Sequence, residues 1–271
     1  MKTVIGIDVG GTTTKIVGFK GGELIAPIFV KAADPTTSVY GAFGKFTHEN
    51  GIDLSKIDRV MITGAGNAFI ENPIYGLPCR HVGEFDSVAK GGMYLSGLEE
   101  AIIVSMGTGT ALVHAKNDGS LKYLGGTGVG GGTMMGLCKK LIDMEDIDNI
   151  IECAKDGDLN KIDLRLKDMS RKEIIPGMPD YFTAANFGKI SDLAEKPDLA
   201  LGIINMVFET IGMMSIFAAR NYGIRDVVLT GNMTTIPQSR QIFDALSKMF
   251  GMNFIIPDLA QFATVIGAAL Q

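Results

Sequence analysis

The feature that most constrains this chain is a unit that occurs twice. Residues 3–7 (Thr-Val-Ile-Gly-Ile) and 14–19 (Thr-Lys-Ile-Val-Gly-Phe) are short β-rich runs joined by Asp8-Val9-Gly10-Gly11-Thr12-Thr13. Ala101–Ser105 and Ala111–Ala115 repeat that layout around Met106-Gly107-Thr108-Gly109-Thr110. Each reads as a β-hairpin with a turn of small residues. An internal repeat points to a duplicated structural unit.

Between and after the hairpins the pattern alternates. Ile57–Thr63, Arg225–Thr230 and Phe254–Pro257 read as strands. Segments 36–50, 86–97, 133–145, 146–156, 199–222, 238–249 and 260–270 read as helices. Strands alternating with helices predict an α/β architecture with mixed sheets. A lobe boundary is expected near residue 100, giving lobes 1–100 and 101–271, with the terminal helix crossing back to the first. The apolar stretch from Leu199 to Tyr222, with Pro197 suited to its first turn, serves equally as a buried core helix or as part of a subunit interface.

Composition excludes several classes. Hydrophobic residues make up 46% and charged residues 20%, enough apolar content for a sizeable core. A net charge of -5 gives no electrostatic reason to expect nucleic acid or an anionic membrane as partner. Asp8 arrives too early for a signal sequence, and Cys79, Cys138 and Cys153 lack metal-ligand spacing. A cytoplasmic protein with reduced thiols is expected.

Of the 35 glycines, six lie between Gly125 and Gly132, and others fill the two hairpin turns. In Asp8–Lys15, Gly10 and Gly11 let backbone N–H groups face an anion, and threonine hydroxyls add donors. Asp8 is a hard oxygen suited to a Mg²⁺ carried by phosphates. Gly107-Thr108-Gly109-Thr110 offers the same donors, and the run to Gly132 leads into Thr133 and a helix start. Gly126–Gly131 also satisfies G-x-G-x-x-G, but the region some 20 residues on reads as helix, without the strand-end acid of a dinucleotide fold. No Walker loop occurs.

These residues carry a family resemblance. The Asp-x-Gly-Gly-Thr hairpin, its Gly-Thr-Gly-Thr repeat and the third glycine-rich loop resemble the actin-like superfamily of sugar kinases and heat-shock ATPases. With Gly83-Glu84-Phe85-Asp86, the Gly157-Asp158 to Leu164 segment, Ile175-Pro176-Gly177 and Thr183-Ala184-Ala185-Asn186-Phe187-Gly188, the chain resembles the type II pantothenate kinases along essentially its whole length. The resemblance implies a two-lobed actin-like ATPase (ribonuclease H-like) fold with duplicated hairpin-bearing mixed sheets. It also implies transfer of phosphate from ATP to the primary hydroxyl of pantothenate, the first step of coenzyme A synthesis.

Carried onto this chain, the resemblance makes Glu84 the catalytic carboxylate, a residue that would otherwise read as a first-turn helix acid. It assigns Asp8, Gly10, Gly11, Thr12, Thr13, Thr14, Lys15, Gly107, Thr108, Gly109, Gly131, Gly132, Thr133, Met134, Met135 and Asn232 to ATP. Asp8 faces the Mg²⁺, and Thr108, Tyr123, Gly125 and Asn186 lie on the acceptor side. It further implies a homodimer and CoA or acyl-CoA as a feedback ligand. One position departs: the family carries an arginine two residues before the Gly-Gly of the third loop, and here it is Tyr123. Tyrosine brings no charge. Arg80 is the candidate to replace the missing cation; otherwise the acceptor is a related alcohol, activity is weak, or the chain is a nucleotide- or acyl-CoA-binding regulator with a decayed kinase site.

Overall fold

The computed structural model describes residues 2–11, 13–31, 34–70, 73–169 and 178–271. Thr12 and Ile175-Pro176-Gly177 therefore lie outside the described residues. The chain order is β1 (Thr3–Val9), β2 (Thr13–Lys20), β3 (Glu23–Lys31), α1 (Pro35–Glu49), β4 (Ile57–Thr63), β5 (Cys79–His81) and α2 (Glu84–Ser96). Then come β6 (Glu100–Met106), β7 (Thr110–Lys116), β8 (Leu121–Thr127), α3 (Gly131–Ile142), α4 (Ile147–Cys153), β9 (Leu164–Arg165), α5 (Leu166–Met169) and β10 (Thr183–Ala185). The chain finishes with α6 (Lys196–Asn221), β11 (Asp226–Thr230), α7 (Pro237–Phe250), β12 (Asn253–Ile255) and α8 (Ala263–Ala269).

Two five-stranded sheets share one topology. The first runs β3-β2-β1-β4-β5 and the second, read from its opposite end, β8-β7-β6-β11-β12. In each, an antiparallel hairpin is extended by a parallel strand, β4 beside β1 and β11 beside β6. Register aligns the copies residue by residue. Asp8 pairs with Lys15 and Thr63, while Ser105 pairs with Ala111 and Thr230.

The strands read as nearly continuous apolar runs because both sheet faces are covered. On the second sheet, Ile102, Val104 and Met106 face the core formed with α3, α6 and α7, while Ala101 and Ile103 face Val88, Ala89 and Met93 of α2. On the first, Ile5, Ile7 and Val9 pack with Phe43 and Phe46 of α1, and Val17 and Phe19 meet Val265, Ile266 and Ala269 of α8. The covering helices are thus exchanged: α2 lies on the second sheet and α8 on the first. The two cross in close contact, and a Cβ at Gly91 or at Gly267 would strike the other helix's backbone.

Helix α6 has a mean hydropathy of 1.7 over an 18-residue window, as a membrane span would. Ile203, Ile204, Val207, Phe208 and Ile211 are nonetheless fully buried in the second core. That burial identifies it as a core helix.

Candidate active site

The two hairpin turns meet at one cavity of about 490 Å³. Its wall includes Asp8, Gly10, Gly11, Thr13 and Lys15 from the first half and Gly107, Thr108, Gly109 and Thr110 from the second. Glu84, Tyr123 and Asn232 complete the group that sequence reasoning anticipated.

Asp8 ends up here because β1 is buried on both faces and opens directly into the turn. Its carboxyl is pushed above the ordinary aspartate range by burial, with the Lys15 ammonium opposing that effect. Lys15 is lowered by the same burial, opposed by Asp8. The Lys15 ammonium also donates to the Gln261 carbonyl, in the single turn that precedes α8, and so joins the first hairpin to the last segment of the chain. Glu84 is the first residue of α2, capped by Gly83. Its carboxyl is raised by burial first and by the charge of Asp8 second.

After β4 and β11 the backbone turns identically, at Gly64 (φ 90) and Gly231 (φ 93). A Cβ at Gly64 would meet the Val9 carbonyl at 2.6 Å, and one at Gly231 would meet the Met106 carbonyl. Only glycine takes this left-handed turn against the end of the neighbouring strand. Both glycines line the cavity, as do Ala65, Ser105, Ala111 and Thr264, none of which the motifs nominated, and Gly126, Thr127 and Gly128 of the third glycine-rich loop, which they did. The sequence signal for the glycines was the dipeptide Thr-Gly that closes each parallel strand.

Other nominated residues lie off the wall. Thr14 is buried and its hydroxyl accepts from Ser38 at 2.7 Å. The N–H groups of Gly131 and Gly132 donate to the carbonyls of Gly107 and Thr108, both at 2.9 Å. Thr133 donates to the Gly128 carbonyl at 2.8 Å. The start of α3 thereby braces the second turn. Met134 is a core residue, Met135 packs against that core, and Gly125 sits in a bulge of β8. Asn186 donates to Glu209 of α6 at 2.8 Å, beside a bond from Thr183 to the same carboxylate and one from the Phe187 amide to buried Asp163. This pins the Thr183–Gly188 segment to α6, away from the cavity.

Tyr123 does reach the wall, and its ring stacks on Phe85 with centroids 4.1 Å apart and planes at 13°. Lys122, its neighbour on the strand, lies instead over the Tyr222 ring at 5.8 Å. It does not take the place of a cation at position 123. Arg80 is exposed on β5 and is not on the wall. Among the described lining residues Lys15 is the sole cation.

Two sheets of one topology, with paired turns converging on a shared cavity, define the actin-like ATPase fold. Solved structures agree at the level of fold. The chain superposes on component A of (R)-2-hydroxyglutaryl-CoA dehydratase from Acidaminococcus fermentans with a TM-score of 0.71 and 19% identity, covering 100% of this chain and 97% of that one. It superposes on a ROK family glucokinase from Streptomyces griseus, solved with glucose and AMPPNP, with a TM-score of 0.63 and 14% identity over 98% of each. In sequence, residues 46–254 match the Fumble family and residues 4–81 the hydantoinase/oxoprolinase N-terminal region. A type II pantothenate kinase of Staphylococcus aureus is 30% identical over 239 residues, 84% of either chain. The protein belongs to the Fumble family.

Proposed function

We propose that the protein is an ATP-dependent kinase that phosphorylates the primary hydroxyl of pantothenate, with residues 1–100 and 101–271 as its two lobes except that α2 packs on the second and the terminal α8 crosses back to the first. The observation that carries this reading is the placement of Glu84 on the cavity wall beside Asp8 and both turns, in a chain of this family. The acceptor hydroxyl gives its proton to the Glu84 carboxylate as its oxygen bonds to the γ-phosphorus. The bond from that phosphorus to the bridging oxygen breaks, and ADP leaves. Catalysis of this kind rests on positioning and on neutralising phosphate charge, supplied here by Lys15, the threonine hydroxyls and the remaining amides of the two turns, since the Gly10 and Gly107 amides bond to the Thr13 and Gly109 carbonyls. Asp8 is a half-buried carboxylate on the cavity wall with one cation opposite it, which fits a magnesium ion entering on the phosphates. That ion would offset charge on the transferring group.

Turnover of labelled ATP against a panel of acceptors tests the reading. Pantothenate-dependent ADP release that Glu84→Gln abolishes is the expected result. Binding of ATP or CoA with no acceptor phosphorylated would overturn it and leave a regulatory nucleotide-binding protein. The uncharged Tyr123–Phe85 stack favours a second reading, a related pantothenate-like alcohol as acceptor. Turnover with such an alcohol alone selects it.

A homodimer belongs to the same reading. It is supported by apolar side chains exposed on and ahead of α6, Phe217 at 61% and Leu193 at 80%. Light scattering that gives a monomer at micromolar concentration removes it. CoA carries an adenine nucleotide, and CoA or a thioester acting as feedback ligand would compete with ATP; inhibition unaffected by ATP concentration rejects this. Three free thiols, with Cys138 pushed up to about 11 by burial, suit a reducing cytoplasm.

A further inference from the structure

We infer that Tyr123 is a positioning residue for Glu84, acting through the Phe85 stack and tying the carboxylate to the strand that runs into the glycines of the cavity wall. The inference rests on Glu84 being the proton acceptor.

Glu84 occupies the first position of α2, where amides lack intrahelical partners and fraying begins. Its cap is Gly83, which has no side chain to hold the turn. Two contacts from opposite sides do that work. From the first sheet, the Ser87 hydroxyl donates to the Gly83 carbonyl at 2.8 Å and lies 3.3 Å from the Thr63 hydroxyl on β4. From the second sheet, the Tyr123 ring lies nearly parallel on Phe85, the residue after Glu84. Removal of the ring takes away the stacked partner and leaves Phe85 packed only against the second-sheet cluster around Val88 and Val113.

The strand is shaped for this contact. Tyr123 is on β8, the edge strand of the second sheet, and the ladder with β7 slips at once beyond it. Val113 pairs with Tyr123 and Leu112 with Gly125, leaving Leu124 as an extra residue. Gly125 takes the left-handed backbone (φ 112) that the bulge requires. Bulges beside active sites re-aim a side chain. The same strand continues into Gly126, Thr127 and Gly128 on the cavity wall. The Thr110 hydroxyl is held there by the Val129 carbonyl at 2.9 Å. A displacement of the second turn therefore reaches Glu84 through one aromatic contact. Tyr123 is 46% exposed, so truncation leaves the core untouched.

Four variants and two readouts, kinetics and hydrogen exchange, decide the matter. Tyr123→Leu and Phe85→Leu each lower kcat about tenfold, the double variant goes no lower than either single, and acceptor KM stays within about twofold. Phe85→Leu is the discriminating arm, because Phe85 is off the cavity wall. Tyr123→Phe keeps the ring and restores kcat to within about threefold of the unaltered protein. Hydrogen exchange of the amides of Ser87 and Val88, the first to bond back into the turn at Gly83 and Glu84, accelerates about tenfold in both leucine variants and returns to normal in Tyr123→Phe. A loss confined to acceptor KM, a silent Phe85→Leu, or unchanged exchange at α2 would overturn the inference. If the unaltered protein phosphorylates no acceptor, it is the kinase reading that fails. The exchange arm still decides whether the stack holds the start of α2.

Discussion

The two halves of the molecule share a backbone plan and divide the chemistry unequally. Where the first hairpin pairs Asp8 with Lys15, the second pairs Ser105 with Ala111. Where the strand-end turn at Gly64 lies against Asp8, the turn at Gly231 leads into Asn232, an uncharged residue on the wall. Duplication supplied two sets of backbone donors around one cavity. The two carboxylates, Asp8 and Glu84, and the Lys15 ammonium all come from the first half, and the second half faces them with hydroxyls, glycine backbone and the Tyr123 ring.

The largest expected effect breaks that asymmetry outright. Glu84→Gln lowers kcat about 10²- to 10⁴-fold with ATP binding retained. Asp8→Ser, which copies the second half into the first, lowers it about 100-fold or more. A loss below about threefold in steady-state turnover, for either variant, would place the chemistry elsewhere.

The strand-end glycines sharpen the comparison. Gly64→Ala and Gly231→Ala each cost about 1–3 kcal/mol in urea unfolding, because both demand left-handed backbone against a carbonyl. Only Gly64→Ala also presses on the Asp8 carboxylate, so its turnover falls further than that of Gly231→Ala. Equal turnover losses would mean that the Asp8 position is immaterial.

A reciprocal swap follows. Ser105→Asp places a carboxylate opposite Ala111 and destabilises the fold by about 1–3 kcal/mol at neutral pH. Burial raises the new carboxyl above its unfolded value, so the cost appears as pH rises through the folded value and fades in acid. Adding Ala111→Lys recovers part of it; no recovery would show that pairing across the hairpin is unimportant.

The mildest effect is in the pH profile. Glu84 is raised by burial and by Asp8, so the acidic limb of kcat/KM lies above the ordinary glutamate value of about 4.3. Activity is lost as pH falls through it. The stability of these acids runs the other way. Asp8 and Glu84 contribute fully below the ordinary carboxylate range and lose that contribution as pH rises through their raised values. Thermal melts of Asp8→Asn should therefore decline less between acid and neutral pH than those of the unaltered protein.

Much of this arrangement was legible in the sequence, and what was not had a physical reason. Both hairpins, β4, β11 and α6 announced themselves because apolar runs and turn residues are local signals. Strand β3 did not: it carries Pro27 and exposed positions along an edge, a pattern that weakens a strand reading. The glycine run 125–132 read as one anion loop, yet it divides between a strand bulge, the cavity wall and a helix cap. On the wall, Asp8 followed from its hairpin motif, and Glu84 and Asn232 from the family resemblance. Ser105 and Thr264 followed from nothing local, since register and the return of the last segment bring them there. The bond from Lys15 to the Gln261 carbonyl spans 246 residues, a separation no spacing rule encodes.

The exchange of α2 and α8 also bears on how the protein is made. As the chain emerges from the ribosome, the first hairpin is complete after about 20 residues, yet Val17 and Phe19 have no cover until α8 has been made. While the more than 200 residues between β2 and α8 are made, the first sheet presents a bare apolar face, the kind of surface that chaperones bind and that other nascent chains stick to. The last turns of helix are therefore the step that seals the first strands.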